Sequence, residues 1–177
     1  AKMQENGEFA WSDEILLPTK ILSNGKFEWE NELLDKSNKA SADREYPGGF
    51  AIDEKGGYIY VTLNRNNSVG IINLKTNQFE GHLPVGIAPY TVVLNGVKAY
   101  VTNWGGRLPK KGDKTALSAG TAIVVDPKTG VASSGTVSVI DLNTRKMVKE
   151  IKVHLHPCAM ALHPDGSKLY VANANSD

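Results

Sequence analysis

Hydrophobic and polar residues alternate in short runs along much of this chain, and polar turn residues separate the runs. In the run 58–63, Tyr58, Tyr60 and Thr62 fall on one face of an extended strand, and aliphatic residues fall on the other. The pattern predicts a first group of strands at 48–53, 58–63, 68–74 and 78–85. After residue 46 no stretch shows the 3.6-residue period of a helix, and before it only residues 30–39 favour a helical turn or two.

The run at 58–63 recurs twice further along the chain. The three related segments are Tyr60-Val61-Thr62, Tyr100-Val101-Thr102-Asn103 and Tyr170-Val171-Ala172-Asn173. Tyr60 and Tyr100 lie 40 residues apart, whereas Tyr100 and Tyr170 lie 70 apart. Matching strands that start at Ser68 and Thr136 place the excess between Thr102 and Thr136. The sequence therefore predicts a repeat of about 40 residues with one long insertion at 107–135.

Four strands in a repeat of this length are typical of a β-propeller blade. The predicted fold class is all-β, with blades of four antiparallel strands in an incomplete propeller of about three blades. Residues 47–86 form one blade, 87–153 a blade with the insertion, and 154–177 the first half of a further blade. Residues 1–46 are an N-terminal segment with outer strands of a preceding blade, one of them at 14–18.

Composition narrows the class of protein further. The 177 residues carry a formal net charge of +1, which argues against a nucleic-acid binder. No apolar run approaches the roughly 18 residues that a membrane span needs. One Cys excludes an internal disulfide and any site built from several Cys ligands. A closed propeller needs four to eight blades, so we expect the chain to belong to a longer polypeptide and to self-associate when isolated.

The repeated segments also carry a family resemblance. Tyr-Val-Thr-Asn at 100–103, Tyr-Val-Ala-Asn at 170–173 and Gly-Thr-Val-Ser-Val-Ile-Asp at 135–141 resemble the YVTN family of β-propeller repeats across residues 47–177. The first copy departs from that pattern, with Leu63 where the others have Asn.

A closer resemblance rests on three further segments. Asn103-Trp104-Gly105-Gly106, Ser118-Ala119-Gly120-Thr121 and residues 156–162 are similar to the propeller half of bacterial proteins that join a propeller to a phosphoesterase (alkaline-phosphatase-like) domain. The resemblance implies a periplasmic or cell-surface location. It also implies that the partners are the remaining blades or the phosphoesterase domain of the parent protein.

The insertion carries the main candidates for ligand binding. Arg107, Lys110, Lys111 and Lys114 stand close together with a single acidic residue, and such a group attracts a phosphate or carboxylate. The alternative is a solvated loop that docks on a partner domain. Trp104 precedes the insertion and offers a flat surface for stacking a ligand. Its alternative role is packing at a blade junction.

Metal-binding and catalytic groups are weaker candidates. His154 and His156 would share one face of a strand and so could approach one metal ion, but no third ligand is evident, and the alternative is that His156-Pro157 opens a strand. Cys158 has no adjacent base, so a nucleophilic role is not predicted. We find no haem-attachment, phosphate-binding-loop or nucleophile-elbow motif. No catalytic residue, metal or cofactor is therefore assigned.

These observations favour a non-catalytic binding or scaffold role for this chain. If the parent protein is a phosphoesterase, the sequence predicts that its chemistry lies outside these residues. One alternative is a propeller hydrolase of the lactonase-like kind that uses a metal in the central channel. Another is a structural repeat of a surface layer.

Overall fold

Short antiparallel strands account for nearly all of the regular structure. The computed structural model describes residues 2–5, 9–10, 15, 17, 46–118 and 121–176. Over these residues there are 14 strands and one 3-10 turn, at Asn64–Asn66. Two short strands, β1 (Lys2–Met3) and β2 (Phe9–Ala10), pair near the beginning of the chain. None of the described residues belongs to a helix long and apolar enough to cross a membrane.

The first blade is a four-stranded antiparallel sheet in which the strands follow chain order. It consists of β3 (Pro47–Asp53), β4 (Tyr58–Leu63), β5 (Ser68–Asn73) and β6 (Gln78–Pro84). The bounds agree with the strands that the alternation predicts to within a residue. A side-chain oxygen of Asn73 closes the turn between β5 and β6 by accepting from the backbone N–H groups of Lys75 and Thr76.

The second blade repeats this order around the insertion. It consists of β7 (Ile87–Asn95), β8 (Lys98–Gly106), β11 (Gly135–Asp141) and β12 (Lys146–Val153). The insertion contains a separate hairpin, β9 (Thr115–Ser118) with β10 (Thr121–Val124). Beyond this hairpin, the turn at 126–130 is closed by a bridge between Val125 and Ala132.

A third sheet follows, with β13 (Pro157–Leu162) paired to β14 (Leu169–Asn173). Its register matches the first two strands of each blade, because Pro157 lies opposite Asn173 just as Pro89 lies opposite Asn103. The all-β class with four-stranded antiparallel blades is therefore confirmed.

The main core lies between the first and second blades. Tyr60, Val69 and Ile71 contribute from the first blade, and Val92, Val101 and Ile140 contribute from the second. All six side chains are buried. Because successive residues of a strand face opposite sides, Val61 and Leu63 point away from this core and form a second cluster with Ile72.

Two residues of the N-terminal segment pack against that second cluster. Ile15 and Leu17 contact the face of the first blade that points away from the second. Both belong to the strand that the sequence predicts at 14–18, and the rest of that strand lies outside the described residues. The predicted helical turn at 30–39 also lies outside them.

Equivalent threonine hydroxyl groups join consecutive blades. The hydroxyl of Thr62 lies 3.1 Å from the carbonyl oxygen of Tyr90, and the hydroxyl of Thr102 lies 3.3 Å from that of Cys158. Both threonines are fully buried. Each contact runs from the second strand of one sheet to the first strand of the next. The threonine of the repeated segment is therefore a hydrogen-bonding link between neighbouring blades.

Candidate functional site

Three aromatic rings, two from neighbouring strands and one from the segment before β13, meet at the second blade. Tyr90 on β7 stacks on Trp104 on β8, with 4.9 Å between ring centroids and 1° between ring planes. His156, just before β13, packs on Trp104 at 5.5 Å and 38°. Tyr90 is 42% exposed and Trp104 is 37% exposed, so the stack faces solvent. We call these three residues the ring cluster.

Irregular backbone holds the ring cluster in place. The register between β7 and β8 shifts on both sides of Pro89, which turns Tyr90 out of the regular ladder. His156 has a φ of 51° and precedes Pro157, and Ala88 has a φ of 52° and precedes Pro89. A left-handed residue other than glycine is uncommon and strained. A residue with a positive φ thus stands before a proline near the start of the first strand in both sheets.

Two glycines connect the ring cluster to the insertion. A side chain at Gly105 would clash with Ile87, and one at Gly106 would clash with the backbone of Ser134. Gly106 also has a φ of 76°, which favours glycine. The two glycines thus let the backbone approach Ile87 and Ser134 closely. This approach fixes the insertion directly after Trp104.

The four basic residues that the sequence singles out at the start of the insertion divide into two pairs. Arg107 donates two hydrogen bonds to Asp113, at 2.7 and 2.8 Å, and Lys114 donates to the carbonyl oxygen of Pro127 at 2.9 Å. These two side chains hold the insertion together. The side chains of Lys110 and Lys111 are exposed, so they are the two cations best placed to meet an anion from solvent.

Asp113 is the acceptor around which this loop is organised. Besides Arg107, it accepts a hydrogen bond from the backbone N–H of Lys110 at 2.6 Å. The hydrogen bonds from Arg107, followed by the one from Lys110, lower the pKa of Asp113 from 3.8 to about 2. The side-chain hydrogen bond between Arg107 and Asp113 also raises the pKa of Arg107. The pair therefore stays ionised at neutral pH.

The two histidines do not lie on one strand. His154 and His156 fall between the end of β12 at Val153 and the start of β13 at Pro157, so strand alternation does not set their directions. His156 belongs to the ring cluster, and the backbone carbonyl of His154 accepts from Gly135 at 3.1 Å. Within the described part of the chain, no three His, Cys, Asp or Glu side chains form a group that could hold a metal ion.

Tyr90 is the site residue that the sequence does not single out. Its slot is held by Gly48 in the first blade and by Cys158 in the third sheet. The change of residue at this position from repeat to repeat is the only local sign that Tyr90 is special. Its stacking partner Trp104 lies on another strand, so the pair is not visible in the sequence. The structure unites Tyr90 with two sequence candidates, Trp104 and His156, into one surface.

Comparison with solved structures supports the fold. Hydrazine synthase from Kuenenia stuttgartiensis matches with a TM-score of 0.53 and 22% identity, over 73% of this chain and 29% of that one. This neighbour is a propeller-type protein. At this identity the likeness supports the fold and says nothing of activity. The fold thus places the chain among propeller-type proteins.

Two further structures match more distantly. AztD from Citrobacter koseri has a TM-score of 0.41 and 16% identity, over 65% of this chain and 25% of that one. A 6-phosphogluconolactonase-like protein from Bacteroides uniformis has a TM-score of 0.38 and 11% identity, over 73% and 48%. The chain thus spans less than half the length of each of these three proteins. No protein-family model matches the sequence, and no curated protein matches it.

Proposed function

We propose that this chain is a non-catalytic binding and scaffold part of an extracytoplasmic β-propeller with YVTN repeats. In this proposal it accompanies a phosphoesterase domain that the described residues do not contain. The scaffold role is supported by the threonine links, which join each sheet to the next. The binding role is supported by the ring cluster at the base of the insertion.

The single observation that carries the binding role is the exposed stack of Tyr90 on Trp104. Two parallel rings at 4.9 Å form a rigid, flat, partly wet surface that needs little ordering before it binds a second flat group. A Trp that served only to fill a blade junction would be covered, whereas Trp104 is 37% exposed.

The ligand class follows from the two kinds of side chain on this part of the blade. A ligand with a flat ring can stack on the ring cluster, and a ligand with an anionic group can pair with Lys110 and Lys111 on the insertion. We therefore expect small organic anions that combine a ring with a phosphate or carboxylate. Phenyl phosphate is the simplest probe that has both parts.

The test is a titration of the Trp104 indole N–H signal in the nuclear magnetic resonance spectrum, assigned with the variant Trp104→Phe. Phenyl phosphate should move this signal in the millimolar range, and phenol and inorganic phosphate should each move it less. Replacing Lys110 and Lys111 by Ala should weaken binding severalfold and flatten its salt dependence. Lys146→Ala with Lys149→Ala, on the exposed strand β12, is the matched control.

An indole signal that does not respond to phenyl phosphate would contradict the binding role. Unchanged affinity and salt dependence without Lys110 and Lys111 would remove the anion from the proposal. The periplasmic or cell-surface location rests on the family resemblance, and fractionation of the source cells tests it. The lactonase-like hydrolase and the surface-layer repeat stay predictions from the sequence.

A further inference from the structure

The connection between β4 and β5 of the first blade reaches the segment that carries the ring cluster. After the 3-10 turn at Asn64–Asn66 the chain passes through Asn67, which has a φ of 51° and a ψ of 42°. Asparagine adopts this left-handed conformation more readily than most other residues with a side chain. Asn67 therefore ends the turn at little cost, and its amide group is left for contacts outside the first blade.

The side chain of Asn67 makes two such contacts. Its Oδ1 atom accepts a hydrogen bond from the backbone N–H of Ala88 at 3.0 Å, and its Nδ2 atom donates to the hydroxyl oxygen of Thr121 at 3.3 Å. Its backbone carbonyl also accepts from the N–H of Val85 at 2.9 Å. An amide side chain contains both a donor and an acceptor. One asparagine thus holds two separate segments of the second blade.

The first contact acts on Tyr90. Ala88 stands two residues before Tyr90 and has a φ of 52°, a conformation that alanine keeps only when its surroundings impose it. Asn64 adds a hydrogen bond from its Nδ2 atom to the carbonyl oxygen of Pro89 at 3.2 Å. The residues that lead into Tyr90 are therefore held from the first blade, by Asn67 and Asn64 together.

The second contact acts on the insertion. Thr121 is the first residue of β10. This strand packs next to the ring cluster, because a Cβ atom added at Gly105 would lie 2.9 Å from the Cγ2 atom of Ile123. Its partner β9 follows shortly after Lys110 and Lys111. Asn67 thus holds the hairpin to which the segment with both exposed lysines is joined.

We propose that Asn67 is the positioning residue of the binding site, because it ties the ring cluster and the insertion to one point of the first blade. A ligand that joins a ring to an anion must meet both parts at a fixed spacing, so Asn67 determines how well such a ligand fits. The ligand part of this inference rests on the proposed function, whereas the effect on the ring cluster does not.

The first experiment measures the stack itself, without ligand. Stacking on an indole moves the ring-proton signals of Tyr90 upfield, and Tyr90→Phe assigns these signals. Asn67→Gly keeps the left-handed backbone and removes both side-chain hydrogen bonds, so the Tyr90 signals should move at least halfway toward those of a free tyrosine. Asn67→Asp keeps an acceptor for the N–H of Ala88 and should retain the parent shift.

Asn77→Gly is the matched control. Asn77 has a φ of 55° and lies on the exposed turn between β5 and β6, so the same substitution meets the same backbone conformation. It should leave the Tyr90 signals unchanged. The amide signals of the buried strand β11 should keep their positions in both glycine variants, which shows that the chain still folds.

The second experiment repeats the titration of the indole signal with phenyl phosphate and with phenol. Asn67→Gly should weaken the binding of phenyl phosphate about threefold to tenfold, because it loses two hydrogen bonds that hold the site. It should weaken phenol as well, because the stack is disturbed. Thr121→Val removes only the hydrogen bond to the insertion, so it should weaken phenyl phosphate and leave phenol unchanged.

Unchanged Tyr90 signals in Asn67→Gly would overturn the proposal, and so would an equal change in Asn77→Gly. Unchanged affinity for phenyl phosphate in Asn67→Gly would also overturn it, as would equal weakening of both ligands by Thr121→Val. A parent chain whose indole signal ignores phenyl phosphate would contradict the proposed function. The Tyr90 signals would then still decide whether Asn67 positions the ring cluster.

Discussion

At the scale of single residues, the threonine of the repeated segment has a clear physical role. Thr102 accepts a hydrogen bond from the backbone N–H of Thr91 at 3.0 Å while its own hydroxyl reaches the carbonyl oxygen of Cys158. One buried group thus satisfies a donor in its own blade and an acceptor in the next sheet. Valine has the same shape but can do neither.

We predict that Thr102→Val lowers the free energy of unfolding by about 1–3 kcal/mol, because it leaves buried backbone groups unpaired. Urea denaturation measures this loss. Amide exchange at Thr91 should become faster. Thr76→Val, on an exposed turn, is the control and should stay within about 0.5 kcal/mol of the parent chain. Equal stability of the two variants would contradict the role of Thr102 as a link.

Only part of the ring cluster could be predicted from the sequence. Trp104 and His156 stand out as residue types whose side chains commonly bind ligands. Their contact depends on the left-handed turn at His156 and on the shifted register at Pro89, neither of which a residue pattern reveals. The pairing of Arg107 with Asp113 depends likewise on how the loop closes.

At the scale of strands, Leu63 and Gly70 of the first blade stand where the second blade has Asn103 and Ser138, and this difference predicts a coupling between the two positions. Gly70→Ser alone should destabilise the chain, because its Cβ atom would approach Leu63 and Phe79. Leu63→Asn alone should destabilise it by creating a space and burying an amide. Together they give the first blade the arrangement of the second, in which the side-chain amide of Asn103 donates to the hydroxyls of Thr136 and Ser138, and they supply a partner for Ser68.

A double-mutant cycle in urea checks this coupling. The two changes together should cost less than the sum of the single changes, by about 1–3 kcal/mol. The pair Leu63→Asn with Thr76→Ser is the control, since Thr76 lies on a distant turn and should add independently. Simple additivity for Leu63 and Gly70 would show that the two positions are chosen separately.

The insertion loop gives a pH-dependent prediction. The pKa of Asp113 is about 2 in the folded chain against an ordinary 3.8. The ion pair with Arg107 is therefore fully formed above the ordinary value, and its contribution is lost as the pH falls through 3.8 toward 2. The carboxyl carbon signal of Asp113 should titrate near 2, and Arg107→Met should move the midpoint back toward 3.8.

A midpoint near 3.8 in the parent chain would contradict the ion pair. Arg107→Lys is the matched control, because it keeps the charge and removes the two-pronged geometry, so its midpoint should be intermediate. The strands that flank this loop, β8 and β11, follow from their match to β4 and β5 of the first blade, and most of their residues are buried. The hairpin of β9 and β10 does not, because its strands have only four residues each and only β10 buries side chains, at Ala122 and Val124.

At the scale of the whole molecule, the two ends of the row of sheets carry apolar surface. Phe50 is 64% exposed and Ile52 is 49% exposed on the face of the first blade that points away from the second. Tyr170 is 55% exposed on β14. Between these ends, the main core lies where the first and second blades face each other. The repeat of about 40 residues predicted these two uncovered ends, because it allows too few blades to close a ring.

We predict that the isolated chain self-associates through the apolar face at Phe50 and Ile52. Sedimentation velocity should show species larger than a monomer whose share rises with concentration. Phe50→Ser with Ile52→Thr should shift the population toward monomer. Val148→Thr, an equally exposed apolar residue on the outer strand β12, is the control and should leave the distribution unchanged. A parent chain that stays monomeric at about 0.2 mM would contradict this prediction.

The ring cluster has an optical consequence as well. Tyrosine passes excitation energy to a tryptophan at the separation of Tyr90 and Trp104, and the emission of an indole changes with its surroundings, which for Trp104 include the packed ring of His156. Tyr90 and Trp104 belong to the second blade, whereas His156 leads into the third sheet. With Trp11 and Trp29 replaced by Phe, the remaining emission would report in real time when these two sheets separate.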